Sequence, residues 1–269
     1  MYNKSIEKDY SMKKELVKKE ILGIAVTDST ESKVLEYVSN FIEKGLGQLF
    51  ITTPNPEILV YAHHHKDFAE ILNDADISLP DGIGLLVASA LLDKKLKSRI
   101  TGIDFMKNLC EKVATRPITV GFLGGKGDVA QRAAECLKQQ FPELKIILAE
   151  AGNPDGFTAK KLMDYRLQTT AFSAVDRRPF AVDILFVGFG FPKQEEWIAK
   201  YLPELPVKVA MTVGGSFDIV SGSLRRAPKV MRIIGLEWLW RLVIQPWRIK
   251  RQVKLLEFVW LVFLERIKK

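Results

Sequence analysis

The sequence has few cysteines and no long apolar run, and these absences narrow the class of protein. Its 269 residues include two cysteines, Cys110 and Cys136. They cannot form a disulfide framework and lack the spacing of a metal site, as is typical of proteins in a reducing cytosol. No apolar run reaches the roughly 18–20 residues that span a bilayer. The first residues also lack the apolar core of a secretory signal, so we expect a cytoplasmic protein.

The net charge of +8 belongs to the C-terminal end of the chain. Residues 225–269 carry 12 Lys and Arg against 3 Asp and Glu, whereas residues 1–224 carry 28 basic and 29 acidic residues. Apolar and basic residues at helical spacing are typical of a helix that lies in a membrane interface. The alternative is a core-packing helix with a solvated basic face. Four of the five tryptophans lie in this segment and favour the interface: Trp238, Trp240, Trp247 and Trp260.

Strand-like and helix-like patterns alternate along residues 20–224. This alternation predicts a Rossmann-like α/β fold, with a mostly parallel sheet flanked by helices and right-handed crossovers. Within it we predict a strand over Glu20–Thr27, a helix over 57–72 and a buried helix over Leu85–Leu92. We divide the chain into a flexible lead-in (1–19), an α/β domain (20–224) and a helical, basic, membrane-associating appendage (225–269).

Three of the predicted strands run into glycine-rich turns. Glycine lets the backbone approach a diphosphate, and the N-terminus of the following helix favours its charge. Three such turns favour a nucleotide pocket, although a full Gly-x-Gly-x-x-Gly with its acidic partner is missing. The candidate glycines are Gly124, Gly125, Gly188, Gly190, Gly214 and Gly215.

Asp81 is the candidate general base. It lies between Pro80 and Gly82 in a predicted strand-to-helix turn, which is where open α/β sheets bind ligands. A carboxylate held there can accept a proton from a substrate. The alternative is that Asp81 caps the helix that follows it.

Other polar side chains are predicted near the same cleft. Thr53 and Asn55 lie in a proline-rich turn after a buried strand, where they either face the cleft or cap the next helix. Arg99 can pair with a phosphate or a carboxylate, although a lone arginine is more often a surface residue. Gln194 lies in the first turn of its helix and can reach the cleft.

Two clusters suggest metal ligands but do not support a metal site. His63, His64 and His65 are neighbours on a predicted helix, about 100° apart, so they cannot converge on one ion and are typical of a solvated face. Asp74 and Asp76 match the Asp-x-Asp signature of metal-dependent sugar transferases. That pair precedes a strand instead of ending it, so we expect no metal and no cofactor.

Seven short motifs follow one another along the chain: Thr53-Pro-Asn55, Pro80-Asp-Gly82, Arg99-Ile-Thr-Gly102, Gly188-Phe-Gly-Phe-Pro-Lys-Gln194, Gly214-Gly-Ser-Phe-Asp218, Arg226-Ala-Pro228 and Gly235-Leu-Glu-Trp238. In this order and spacing they closely resemble the WecG/TagA/CpsF family of bacterial glycosyltransferases over roughly residues 20–255. The resemblance implies a peripheral enzyme on the inner face of the cell membrane. It implies a sugar, N-acetylmannosamine or a related hexose, moved from a UDP-sugar to a sugar on undecaprenyl diphosphate for teichoic-acid or other surface-polysaccharide synthesis.

The resemblance also implies a role for each matching residue. Asp81 matches the base of an inverting, metal-independent reaction, and Thr53 and Asn55 match pocket residues near the sugar. Arg99 and Gln194 match groups that hold substrate. In the basic tail, the arginines that would meet the diphosphates are Arg241, Arg248 and Arg251.

Two other classes of protein remain as alternatives. A Rossmann-type nucleotide-binding or redox protein with a membrane-binding tail would need the glycine fingerprint that is missing here. A nucleic-acid-binding module would leave the large apolar residues of the basic tail exposed to water, so we expect no nucleic-acid partner. A homo-oligomer is compatible with the sequence.

Overall fold

The structure is a computed structural model that describes residues 16–45, 47–152, 154 and 182–268. Most of the predicted lead-in therefore lies outside the described residues. The described strands are β1 (Lys18–Ile21), β2 (Ile24–Thr27), β3 (Leu49–Thr52), β4 (Ile77–Ser78), β5 (Thr119–Gly124), β6 (Lys145–Glu150), β7 (Val182–Gly188) and β8 (Val207–Thr212). The described helices are α1 (Glu31–Lys44), α2 (Pro56–His64), α3 (Lys66–Asp74), α4 (Ile83–Leu91), α5 (Gly102–Val113), α6 (Val129–Gln140), α7 (Lys193–Tyr201), α8 (Ser216–Val220), α9 (Lys229–Ile233), α10 (Glu237–Ile244) and α11 (Ile249–Ile267).

The predicted parallel α/β sheet is confirmed. Six of the described strands form one sheet in the order β4-β3-β8-β7-β5-β6, and every neighbouring pair is parallel. Helices cover both faces, because the strands are apolar on both sides, as expected of a parallel sheet. One face packs Phe122 and Phe186 against α1, α5, α6 and α8, and the other packs Leu185 against α7. The carboxyl ends of β3, β4 and β8 therefore meet at one edge of the sheet.

The prediction of a single strand over Glu20–Thr27 was wrong, because the segment is an antiparallel hairpin of β1 and β2. The register pairs Ile21 with Ile24, so the loop holds only Leu22 and Gly23. Both loop residues have positive φ, as two-residue hairpin turns require, and Gly23 takes that conformation without strain.

Two predictions about helices also need correction. The single helix over 57–72 is divided into α2 and α3 at His65, whose extended backbone interrupts it. The apolar run from Leu85 is only partly buried. Val87 and Leu91 are 53% and 55% exposed because they face a cavity instead of a packed layer.

Residues 225–268 are mostly helical and pack back onto the α/β core. Phe258 and Val262 of α11 are buried with α2, α3, α4 and the hairpin. Gly235 lies against α4 so closely that a Cβ there would come within 2.6 Å of the Ile83 Cβ, and its φ is +78°. Within the described residues, no helix combines the length and the apolarity that a membrane crossing requires.

Candidate active site

Asp81 lies two residues beyond Leu79, in the turn from β4 to α4. Its backbone N–H donates to the Pro54 carbonyl at 2.9 Å, which ties this turn to the turn after β3. The N-cap of α4 is Gly82, with φ of +100° and no capping side chain. Asp81 therefore does not cap the helix that follows it. Its Oδ2 accepts a long hydrogen bond from the N–H of Gly102, at 3.4 Å.

A cavity of about 570 Å³ opens beside this carboxylate. This volume is within the range of small-molecule sites. Its walls come from the turns that follow β3, β4 and β8, from the start of α5, and from α4, α10 and α11. The site is thus built where the carboxyl ends of parallel strands meet, and the C-terminal helices close it.

The surroundings of Asp81 raise the pKa of its carboxyl group to about 6. The largest cause is removal of the carboxylate from water, and Glu237 adds a smaller effect of the same sign. Arg241, the Gly102 N–H and Arg99 act in the opposite direction by favouring the charged form. A carboxyl group with a pKa of about 6 is mostly ionised at pH 7, and it is a stronger base than an ordinary carboxylate.

Several predicted site residues line the cavity together with Asp81. Arg99 donates from Nη2 to the backbone carbonyl of Arg232 at 2.9 Å, so it also holds the C-terminal segment in place. Asn55 caps α2, since its Oδ1 accepts from the N–H of Ile58 at 3.0 Å, and it lines the cavity as well. Gly215 and Arg241 complete this set.

Other predicted residues lie behind the cavity wall. Thr53 is buried, donates to the Thr212 carbonyl and is not among the described residues that line the cavity. Gln194 is also buried, and its Oε1 accepts from the N–H of Gly214 at 3.0 Å. It therefore links the turn after β7 to the turn after β8, instead of reaching the cavity.

The remaining glycines serve close approach between turns. A Cβ on Gly124 would come within 2.6 Å of the Gly188 backbone, and the Gly125 N–H donates to the Gly188 carbonyl at 3.0 Å. Gly190 has φ of +79° in the neighbouring turn. The side chains of Arg248 and Arg251 lie outside the described part of the chain.

Glu237 and Trp238, which α10 places in the cavity wall, were not predicted to be site residues. Both residues belong to the motif Gly235-Leu-Glu-Trp238, and this motif is the feature of the sequence from which they could have been predicted. The group that docks this segment, Arg226, was not predicted either. Arg226 donates to both carboxylate oxygens of Asp104, at 2.6 and 2.7 Å, and from Nε to Glu237 at 3.3 Å.

The histidine and aspartate clusters that resemble metal ligands make other contacts or lie away from the cavity. His64 pairs with Glu257 of α11, and the His65 ring stacks on Tyr61 at 3.8 Å. Asp76 accepts from the N–H of Phe50 at 2.8 Å, and Asp74 lies on the surface away from the cavity of Asp81. In the described parts of the chain, no three His, Cys, Asp or Glu side chains converge as metal ligands would.

Glu195 is a second carboxyl group with a perturbed pKa. It is fully buried and accepts from Gln194 Nε2 at 2.8 Å, and its burial raises the pKa from 4.5 to about 7. Because the folded state favours the protonated form, this stabilisation is present below about pH 4.5 and is lost as the pH rises through 7.

Glu195→Gln should remove this loss of stability, because glutamine has the shape of the protonated carboxyl group and cannot ionise. We expect the free energy of unfolding of the wild type to fall by up to about 3 kcal/mol between pH 4.5 and 8, and that of the variant to stay flatter. Urea unfolding across this range measures both. Glu204→Gln, at an exposed position just beyond the end of the same helix, is the matched control and should retain the wild-type slope. Equal slopes in Glu195→Gln and the wild type would contradict the prediction.

The fold and the site define an α/β protein with a cavity at the carboxyl ends of β3, β4 and β8, lined by the Asp81 carboxylate and two arginines. Comparison with known proteins gives the family. The family model described as glycosyl transferase WecG/TagA/CpsF family matches residues 19–269. The chain belongs to this family, as its seven motifs predicted, and is a glycosyltransferase.

Curated relatives cover most of the chain. One from Bacillus subtilis (strain 168) is 32% identical over 250 residues, which are 93% of this chain and 92% of the relative. One from Bacillus spizizenii is 35% identical over 86% of each chain, and one from Staphylococcus aureus (strain MRSA252) is 34% identical over 87% of each. All three are named N-acetylglucosaminyldiphosphoundecaprenol N-acetyl-beta-D-mannosaminyltransferase.

Proposed function

We propose that this glycosyltransferase moves a sugar from a UDP-sugar to a sugar that is linked through a diphosphate to a polyprenol. The donor sugar is N-acetylmannosamine or a related hexose, and the product enters a cell-surface polysaccharide or teichoic acid. The names of the relatives, which cover the same residues, support the lipid-linked acceptor. The observation that carries the proposal is the Asp81 carboxylate in the cavity wall, with a pKa of about 6 and two arginines nearby.

In the proposed reaction, Asp81 takes the proton from the acceptor hydroxyl as its oxygen attacks the anomeric carbon. The new glycosidic C–O bond forms on the face opposite to the departing UDP, while the bond from the anomeric carbon to the UDP oxygen breaks. This single displacement inverts the configuration at the anomeric carbon. The released UDP carries the negative charge, and fixed cationic groups such as Arg99 and Arg241 can stabilise charge that develops on phosphate oxygens.

We propose further that no metal takes part, and that the arginines act where a divalent ion acts in Asp-x-Asp transferases. Asp76 already accepts a hydrogen bond from the backbone of β3, and Asp74 does not line the cavity of Asp81. The positions of Asp74 and Asp76 therefore support a reaction without a metal ion, as the sequence also predicted. Chelation of metals should therefore leave the reaction rate unchanged.

We propose that the enzyme works as a peripheral protein on the inner face of the cell membrane. Large apolar side chains of the C-terminal helices are exposed, including Val230 (69%), Ile233 (71%) and Trp247 (71%). The same segment carries most of the excess positive charge. Each basic residue near an anionic bilayer contributes about 1 kcal/mol, and the exposed apolar groups add to that attraction.

The test is UDP release from a panel of UDP-sugars, with a short-chain lipid-diphospho-N-acetylglucosamine as acceptor and EDTA present. We expect release that depends on the acceptor, that survives EDTA and that identifies the donor by its rate. Nuclear magnetic resonance of the product should show the inverted anomeric configuration. A requirement for a divalent ion would overturn the metal-independent mechanism and return attention to Asp74 and Asp76. An absence of transfer with every donor would overturn the proposed function.

A further inference from the structure

Two apolar stripes face each other across the cavity, and the proposed base does not account for them. On α4 the stripe is Ile83, Val87 and Leu91; on α11 it is Leu255, Val259 and Phe263. In each stripe the residues are four apart, so they lie on one face of their helix. We call the space between them the α4–α11 groove. Its floor is formed by Phe258 and Val262, which are buried.

The two helices run in the same direction along the groove. At the start of α4, a Cβ on Gly84 would lie 3.8 Å from the Phe258 ring. Beyond its end, Lys94 pairs with Glu265 at 3.2 Å, and Asp93 pairs with Arg266. The two helices are therefore close together at the start of the groove and joined by ion pairs at its far end. Leu91 lies eight positions after Ile83 on α4, which makes the apolar length about 12 Å.

The groove continues into the polar end of the same cavity. Asp81 and Gly82 directly precede α4, and Arg99 and Arg241 stand near Asp81 in the wall at that end, beside Glu237. A ligand that matches the whole cavity therefore has a polar head, with anionic groups for the two arginines, and a flexible hydrocarbon tail. The exposed valines and leucine of the stripes would otherwise face water, which soluble proteins limit to functional patches.

We propose that the α4–α11 groove binds the first isoprene units of the acceptor lipid. This inference rests on the proposed function and adds a subsite to it. With the sugar hydroxyl at Asp81, the diphosphate lies near the arginines and the prenyl chain follows α4 away from the base. The groove thus draws the start of the lipid out of the bilayer and fixes the direction in which the sugar enters.

The groove is a different surface from the one available to the membrane. On α11, Leu256 and Trp260 are 73% and 57% exposed and are not among the described residues that line the cavity. A bilayer surface can meet these residues while the groove holds a single chain. The two roles of α11 therefore involve different residues, and binding in the groove can be measured in the absence of a membrane.

The test is the affinity for two soluble probes, geranyl diphosphate and farnesyl diphosphate, measured by isothermal titration calorimetry without vesicles or detergent micelles. Farnesyl is one isoprene unit longer than geranyl. Because the wild type buries part of that unit in the groove, we expect farnesyl diphosphate to bind about tenfold more tightly. Val87→Ser and Val259→Ser should reduce this ratio to about twofold. Leu256→Ser, on the outward side of α11, is the matched control and should retain the tenfold ratio.

Equal chain-length ratios in Val87→Ser, Val259→Ser and the wild type would overturn the groove, as would failure of both probes to bind the wild type. Sugar transfer assays separate this inference from the proposed function. A chain-length preference that depends on the groove residues, without any transfer, would support the groove and overturn the function. Transfer at the same KM for geranyl- and farnesyl-linked acceptors would support the function and overturn the groove.

Discussion

Asp81→Asn should lower kcat for sugar transfer by about 10³-fold, because general-base catalysis contributes roughly 10²–10⁴ in rate. Asparagine has the same shape as aspartate and can still accept the hydrogen bond from Gly102, so the cavity should keep its form. What the variant loses is the group that takes the proton from the acceptor hydroxyl. Initial rates of UDP release at saturating donor and acceptor measure this change, and substrate KM values should change far less than kcat.

The pH dependence gives an independent signature of the same residue. With the pKa of Asp81 at about 6, kcat/KM of the wild type should rise about tenfold per pH unit below 6 and level off above it. Arg241→Met should move this rise to higher pH, because Arg241 favours the charged form of Asp81. Asp74→Asn, which changes an exposed carboxylate outside the cavity, should leave both rate and profile unchanged. A flat profile, or normal turnover by Asp81→Asn, would exclude Asp81 as the base.

Arg226→Met should destabilise the folded chain by about 2 kcal/mol and lower kcat/KM as well. The substitution leaves Asp104 and Glu237 without their shared cation, and breaking a partly buried pair in this way is costly. Asp104 is 37% exposed, so water compensates part of the loss and the figure is below that of a fully buried pair. Because Glu237 begins the helix that brings Trp238 and Arg241 to the cavity, a loosened α10 should also weaken substrate binding.

Thermal unfolding and steady-state kinetics measure the two effects of Arg226→Met. Arg225→Met is the matched control, because its side chain is exposed and adjacent in sequence. Arg226→Lys should recover only part of the stability, since lysine cannot form the two parallel hydrogen bonds that arginine makes with Asp104. An Arg226→Met variant as stable and as active as Arg225→Met would show that this ion pair does not hold the helix in place.

Local patterns were sufficient to predict the class of the fold. The apolar strands followed by amphipathic helices indicated a parallel sheet, and the sheet is parallel. The order of its strands was not predictable, because the position of β8 between β3 and β7 depends on packing between segments far apart in sequence. The hairpin of β1 and β2 was missed because its turn consists of only Leu22 and Gly23. Since Leu22 is apolar like its neighbours, the segment resembles one continuous strand.

The parts of the site that depend on adjacent residues in the sequence were predictable. The parts that depend on contacts between distant segments were not. Proline and glycine beside Asp81 indicated a turn at a strand end, and the structure places that turn in the cavity wall. The apolar run from Leu85 predicted a buried helix, because composition does not distinguish a core face from a groove face. Gln194 was expected to reach the cleft, but its amide instead joins two turns through Gly214. Such a contact cannot be read from a motif.

The position of β3 in the sheet has a consequence for synthesis on the ribosome. One neighbour of β3 is β4, about 26 residues later, but the other is β8, where Leu49 pairs with Val209. At a synthesis rate of about 5–20 residues per second, β3 waits roughly 8–30 s for that second partner. During this time one edge of an apolar strand remains unpaired and open to wrong pairing. The central sheet can close only when nearly four-fifths of the chain has been made, so this edge stays exposed for most of the synthesis.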